Sequence, residues 1–214
     1  MSAKRRHGAP PSPSRWHASP TRLARLLFGL ALFGAGEGLL VHSALGNSPW
    51  SVLAEGVGEQ AGVAIGVTTV AISFVLLLAW VPLGQRAGLG TVANAVVVGF
   101  GIDVTLALLG PSSDVLPVRL AEVALAIALV SVGSGLYLTQ RLGAGPHDGL
   151  MTGLARVTGR SLRLTRASIE LSACAAGVAL GGTLGIGTLA FALLVGPGVQ
   201  LALARLGATG ASDL

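Results

Sequence analysis

Six long apolar runs, separated by short polar and glycine-rich stretches, organise the chain. They cover about 23–44, 63–83, 90–109, 118–138, 164–180 and 187–206. At about 1.5 Å per residue, each is long enough to cross a hydrocarbon core of about 30 Å as a helix. Period-two alternation is not seen, so the strands of a membrane barrel are excluded. The first run exceeds the usual signal-peptide core of about 7–15 residues, and no small-x-small cleavage site follows it, so it reads as a span. The pattern predicts an all-α polytopic membrane protein with six transmembrane helices.

Two shorter elements sit between these runs. Ser48-Pro49 and Gly145-Pro146 each look like an N-cap followed by Pro at the first helical position. The helices they start, 49–61 and 146–158, are about 18 Å long and too short to span. They are interfacial or re-entrant. A modest amphipathic pattern (Val52, Leu53 and Val57 against Glu55 and Glu59) favours interfacial. If re-entrant, their N-termini would present free N–H groups to an anion.

An ungapped shift of 97 positions superimposes the two halves of the chain. Between positions 29 and 107 it gives 27 identities in 79 pairs, far above the rough tenth expected for this composition. Leu45-Gly46 meets Leu142-Gly143, and Gly88-Leu89-Gly90-Thr91 meets Gly185-Ile186-Gly187-Thr188. Each copy holds three spans, an odd number, so the second copy must be inverted relative to the first. The expected organisation is a disordered basic cytoplasmic tail (1–22), a first three-helix repeat (23–109), an external connecting loop (110–117), a second, inverted repeat (118–206) and a short C-terminal tail (207–214). Inverted repeats are common in secondary transporters, with the substrate site at the repeat interface.

Composition agrees with a membrane setting. Hydrophobic residues make up 52% of the 214 and charged residues only 11%, about half the share of an ordinary soluble domain. Mean hydropathy is +0.76. Net charge is +5, but the charges lie in short tracts beside apolar runs, which suits anionic lipid headgroups and not nucleic acid. With the N-terminus inside, the cytoplasmic side collects the tail bases Lys4, Arg5, Arg6, Arg15, Arg22 and Arg25, together with Arg86, Arg141, Arg156, Arg160, Arg163, Arg166 and Arg205; only Arg119 falls outside. That gives N-in, C-in and a cytoplasmic-membrane location. The segment 45–62 carries Glu55 and Glu59 and no base, while its partner 142–159 carries Arg156, as inversion requires.

Polar groups at membrane depth are the candidate site. Glu37 lies inside span 1, Asn94 and Asp103 in span 3, Glu170 in span 5 and Gln200 in span 6. A buried carboxylate costs several kcal/mol unless paired or protonated, so such residues mark function by default. The competing reading has Glu37 as interhelical glue, and Arg166 and Glu170 as a local i,i+4 pair. Gly99-Phe100-Gly101 and Gly196-Pro197-Gly198 fall at matching points of spans 3 and 6 and are expected to break those helices, leaving backbone groups at the site. Small-residue packing is the alternative. No Walker A, GxSxG, HExxH or cysteine cluster is present. Neither an enzyme, a cofactor nor a metal is expected. Lone Cys174 reads as a packing residue.

Several of these segments resemble one bacterial membrane family. Gly46-Asn47-Ser48-Pro49-Trp50-Ser51-Val52-Leu53, Gly88-Leu89-Gly90-Thr91-Val92-Ala93-Asn94 with Gly99 and Asp103, Gly143-Ala144-Gly145-Pro146-His147-Asp148-Gly149-Leu150-Met151 and Arg166-Ala167-Ser168-Ile169-Glu170 resemble the YczE/YyaS/YitT-type proteins. The resemblance covers about 24–206 and implies an inner-membrane protein. The chain is expected to lack the soluble C-terminal domain of longer YitT-type members. Activity in that family is largely unassigned.

The leading expectation is a carrier or channel for a small solute or ion. Glu37 would be the coupling or cation-binding carboxylate, and Asn94, Asp103, Glu170 and Gln200 would line the path. The rival is a non-transporting accessory protein that binds a partner through the basic 141–166 loop and the tail. A polar, water-sized cavity around Glu37 favours the first, and a dry core the second. Oligomeric state is open, a homo-oligomer included.

Overall fold

The computed structural model describes residues 15–207, where it has eight α-helices and no strand. They are α1 (Pro20–His42), α2 (Pro49–Ala61), α3 (Ile65–Trp80), α4 (Leu89–Leu109), α5 (Leu116–Leu138), α6 (Pro146–Thr158), α7 (Leu162–Ala179) and α8 (Ile186–Arg205). Expectations for 1–14 and 208–214 lie outside the described residues. Helix α1 starts three residues inside the expected tail. Ser19 caps it, its hydroxyl accepting the Arg22 N–H at 3.4 Å, and Pro20 takes the first helical position.

Shifted by 97 positions, α1 to α4 fall on α5 to α8 with every boundary within two residues. The same punctuation recurs in both halves. Helices α2 and α6 begin with Pro49 and Pro146, and they end at Gly62 and Gly159, both in the left-handed region at φ 67°, where glycine has no Cβ penalty. The turns after α1 and α5 hold Ala44 (φ 49°) and Arg141 (φ 53°) at equivalent positions. Helices α4 and α8 open with Thr91 and Thr188 accepting the N–H of Gly88 (3.1 Å) and Gly185 (3.3 Å).

The expected interruptions at Gly99–Gly101 and Gly196–Gly198 are corrected by the fold, since α4 and α8 run unbroken through them. The glycines of α4 serve close packing instead. A Cβ on Gly99 would lie 2.5 Å from the Gly66 carbonyl oxygen of α3, and one on Gly101 3.0 Å from the Gly34 Cα of α1. Pro197 is accommodated within α8 with its side exposed.

Helix α1 is central. It packs antiparallel along α5, with Gly29 against the Gly133 carbonyl and Gly36 against that of Ala126, and parallel to α4, with Gly34 on Val98 and Gly38 on Thr105. Helix α5 packs parallel to α8 in turn, Ser131 meeting Gly198. Two apolar clusters fill these seams, one around Leu40, Ala126 and Val130, the other around Leu26, Leu30 and Ile102.

The halves also hold each other reciprocally. The Gly90 N–H donates to the Leu142 carbonyl and the Gly187 N–H to that of Leu45, both at 2.8 Å. Arg22 donates to the Gln140 carbonyl at the end of α5, and its counterpart Arg119 donates to the Ser43 carbonyl (2.6 Å) and to Ala44 at the end of α1. Arg119, the one base assigned outside, therefore caps a helix C-terminus, where cations are favoured.

The outer surface is apolar. Phe28, Leu78, Phe100, Leu108, Leu171 and Leu193 are all exposed, an abundance of outward apolar side chains of the kind that marks a membrane surface. Helices α1, α4, α5 and α8 are each long and apolar enough to cross a membrane; α2 and α3 meet at 111° across a short break and pass that test only together, as a broken span or a re-entrant loop. Helix α7 holds Arg163, Arg166 and Glu170 and does not meet that measure.

Candidate functional site

The N-termini of the two short helices meet inside the bundle. Pro49 and Pro146 fix the first turns, and the next residues, Trp50 and His147, stack ring on ring with centroids 4.2 Å apart and planes 20° apart. These two residues are 97 positions apart, so the stack joins equivalent points of the two halves. Around it lies a cavity of about 340 Å³ lined from all eight helices. Twenty of its 26 lining residues form ten pairs separated by 97, among them Glu37 with Ser134, Ser51 with Asp148, Thr69 with Arg166, Ser73 with Glu170 and Asn94 with Phe191.

Glu37 projects from α1 over the first turn of α2. It is 4% exposed, and the hydroxyls of Ser48 and Ser51 both donate to its Oε2 at 2.7 Å. Ser48 is the N-cap of α2, but its hydroxyl serves Glu37 and not the helix's own N–H groups. No donor among the described residues reaches Oε1, which belongs to the cavity wall. The second half exchanges the roles of acid and hydroxyl. Ser134 stands on α5 where Glu37 stands on α1, and Asp148 stands on α6 where Ser51 stands on α2. The Tyr137 hydroxyl donates to Asp148 Oδ2 at 3.2 Å. Each short helix thus offers its positive end to a carboxylate of the protein itself.

Asn94 is 7% exposed and lines the cavity together with Ser73 and Ser134, and the Trp50 indole N–H is buried there with no hydrogen-bond partner among the described residues. Glu170 also lines it, ion-paired with Arg166 at 2.8 Å on the same face of α7, as its i,i+4 spacing suggests. Gln200 and Gly196 line it from α8. Of the residues singled out by sequence, Glu37, Asn94, Glu170 and Gln200 converge, with Ser48, Pro49, Gly145 and Gly196 beside them.

Asp103 stands apart: its carboxylate accepts the Gly66 N–H at 2.8 Å and so caps the first turn of α3. Pro146 does not line the cavity, but its carbonyl accepts the Trp80 indole N–H at 3.0 Å. Gly99, Gly101, Pro197 and Gly198 lie outside it. The residues sequence reading passed over are Trp50, Ser51 and Tyr137; His147-Asp148 stands out in the sequence only as an acid–base pair, which adjacent positions on a helix argue against. The 97-residue shift was the available signal, because it pairs Trp50 with His147 at the head of matching helices. Glu55 has a role that its place in the amphipathic pattern does not reveal. It clamps the loop before α8, accepting from Asn47 (2.8 Å) and from the Thr183 backbone and hydroxyl.

The cavity is not equally closed on all sides. Helix α3 packs along α4, whereas the corresponding pair, α7 and α8, touch only marginally. Arg166, Gly196 and Gln200 are exposed at that gap. Among the described residues no cluster of three or more His, Cys, Asp or Glu suits a metal ion.

Comparison with known proteins places these features in a lineage. Residues 20–203 match the profile of a family described as a family of unknown function, DUF6198. An "Uncharacterized protein" of Haemophilus influenzae is 40% identical over 187 residues, covering 87% of this chain and 85% of that one. The "Uncharacterized membrane protein YczE" of Bacillus subtilis is 30% identical over 184 residues, 85% of this chain and 82% of its own length. "Uncharacterized protein YyaS" from the same organism is 26% identical over 165 residues, 75% and 82% of the two chains. No solved structure matches. With its apolar helices and this relationship, the chain is a multi-pass integral membrane protein.

Proposed function

Because the chain belongs to the DUF6198 family, a family with no assigned activity, we propose its function from the site itself: a carrier for a small solute or ion, with one binding site where two inverted three-helix repeats meet. In this reading α2 and α6 are re-entrant half-helices, and six segments, α7 among them, cross the cytoplasmic membrane with both termini inside. The observation that carries the reading is the cavity around Glu37, built from paired positions of the two halves and lined by polar groups, the unpartnered Trp50 indole N–H among them. Antiparallel packing of α1 on α5, which are equivalent helices, supports the inversion. A packed, dry core would have favoured an accessory role.

The unequal seams support alternating access. In the described state the α7–α8 seam is loose and the α3–α4 seam shut. Exchange of the two arrangements would open the cavity to the opposite side. Proton or cation coupling falls to Glu37, the most enclosed carboxylate of the cavity.

Two experiments test this. The first fixes orientation. Ala61 and Thr158 are equivalent, exposed residues at the ends of α2 and α6. In a Cys174→Ala background, Ala61→Cys is expected to react with an impermeant maleimide from outside intact cells and Thr158→Cys only after the membrane is opened. Labelling of both from the same side would end the inverted arrangement. The second is a thermal-shift screen of ions and small solutes on purified protein, since ligands of the native form raise its apparent stability. Flux of each positive compound is then measured in proteoliposomes. Wild type is expected to carry it and Glu37→Gln to fail. Equal flux through Glu37→Gln and Asn94→Ala would remove the site from consideration.

A further inference from the structure

We infer that the ligand of this cavity is a small monovalent organic cation, an ammonium group on a compact apolar body. The inference deepens the carrier reading and rests on the same cavity.

Charge decides the sign. The N-termini of α2 and α6 each present about half a positive charge to the cavity, but a carboxylate stands beside each: Glu37 on the hydroxyls of Ser48 and Ser51, and Asp148 in the first turn of α6. Arg166 is neutralised by Glu170. With Glu37 and Asp148 both ionised, the form a neighbouring cation favours, the remainder is about one negative charge, which a single positive charge balances. An anion would meet two carboxylates where a helix N-terminus alone would have welcomed it.

Hydrogen bonding decides the kind of cation. Glu37 Oε1 is an acceptor on the cavity wall, with no donor from the described residues, while its other oxygen is held by two serine hydroxyls. The carboxylate is thus fixed in place with one oxygen free. An N–H bearing cation can donate to it, and Asn94 and Ser134 in the same lining carry further oxygens able to accept.

Size and lining decide the rest. A volume of about 340 Å³ would hold on the order of ten waters at roughly 30 Å³ each. That is too roomy for a bare alkali ion, which needs a close oxygen cage. Phe33, Val98, Ile102, Phe191 and Val195 make much of the wall apolar and match an apolar body. The loose α7–α8 seam gives such an amphipathic cation a side entrance.

The probes are benzylammonium and butylammonium, with benzyl alcohol and benzoate as neutral and anionic counterparts of similar shape. Binding to the purified full-length protein at pH 7 and constant ionic strength is measured by calorimetry and by thermal shift. One or both ammonium ions are expected to bind at least tenfold more tightly than benzyl alcohol, with no heat from benzoate. Glu37→Gln is expected to lower ammonium affinity at least tenfold while its ligand-free melting temperature stays near that of wild type. Failure of both ammonium ions to bind, equal binding of the alcohol or benzoate, or undiminished affinity in folded Glu37→Gln would each overturn the inference. The charge series uses wild-type protein, so it decides the matter even where the variant does not fold. Flux separates this inference from the carrier reading. Uptake of a neutral or anionic solute without ammonium binding refutes the ligand class and leaves the carrier standing; ammonium binding without uptake does the reverse.

Discussion

Replacing Glu37 with Ala is expected to cost about 2–3 kcal/mol of stability, while Gln at the same position is expected to keep the fold and lose the function. The difference lies in which oxygen each change touches. Ser48 and Ser51, both buried, donate to Oε2. Ala removes their acceptor, and each buried donor left unsatisfied costs about 1–3 kcal/mol, relieved in part by cavity water. A Gln carbonyl can take both hydroxyl bonds. Its amide nitrogen then replaces Oε1, so a cavity-facing acceptor becomes a donor and a negative charge disappears. Melting temperature in detergent reads the first effect, and flux in proteoliposomes reads the second. If Ala and Gln melt together, the serine contacts are not structural. If Gln transports like wild type, Glu37 is not the coupling group.

Gly99→Ala is expected to destabilise the protein by about 2 kcal/mol, the range for overpacking a close interface, whereas Gly196→Ala at the equivalent position is expected to stay within about 0.5 kcal/mol, as for an unconstrained surface site. A Cβ at 99 would lie 2.5 Å from a carbonyl oxygen of α3 and 2.6 Å from Val70. The carbonyl is backbone, so only a separation of the helices relieves it. A Cβ at 196 meets nothing within 4 Å. Alanine is also the better helix former, which offsets part of the loss at 99. The pair therefore measures the asymmetry of the two seams with one kind of substitution. Equal losses at both sites would mean that α7 and α8 close up in solution as α3 and α4 do.

This contrast also shows what could be read in advance. Helix positions were legible because Pro49, Pro146, Gly62 and Gly159 punctuate the chain through local geometry, which needs no knowledge of tertiary contacts. The central place of Glu37 was legible too, since an isolated acid in an apolar run has few places to go. The purpose of Gly99 and Gly101 was not. A glycine that loosens a helix and one that admits a neighbouring backbone look identical along the chain, and only the position of α3 and α1 distinguishes them. Asp103 misled for a related reason. Its depth suggested a ligand contact, but the N–H it serves belongs to Gly66, 37 residues away. Arg119, the exception to the charge pattern, became intelligible only once its target carbonyls on α1 were in view.

The crosswise bonds of Arg22 and Arg119, and of Gly90 and Gly187, bear on how such a chain can mature. Each half satisfies its own backbone only by borrowing from its sister, so neither makes a complete lodger of the bilayer by itself. The amino-terminal half emerges from synthesis first and must wait, with the Ser43 and Leu45 carbonyls unanswered, until residues 119 and 187 arrive to answer them.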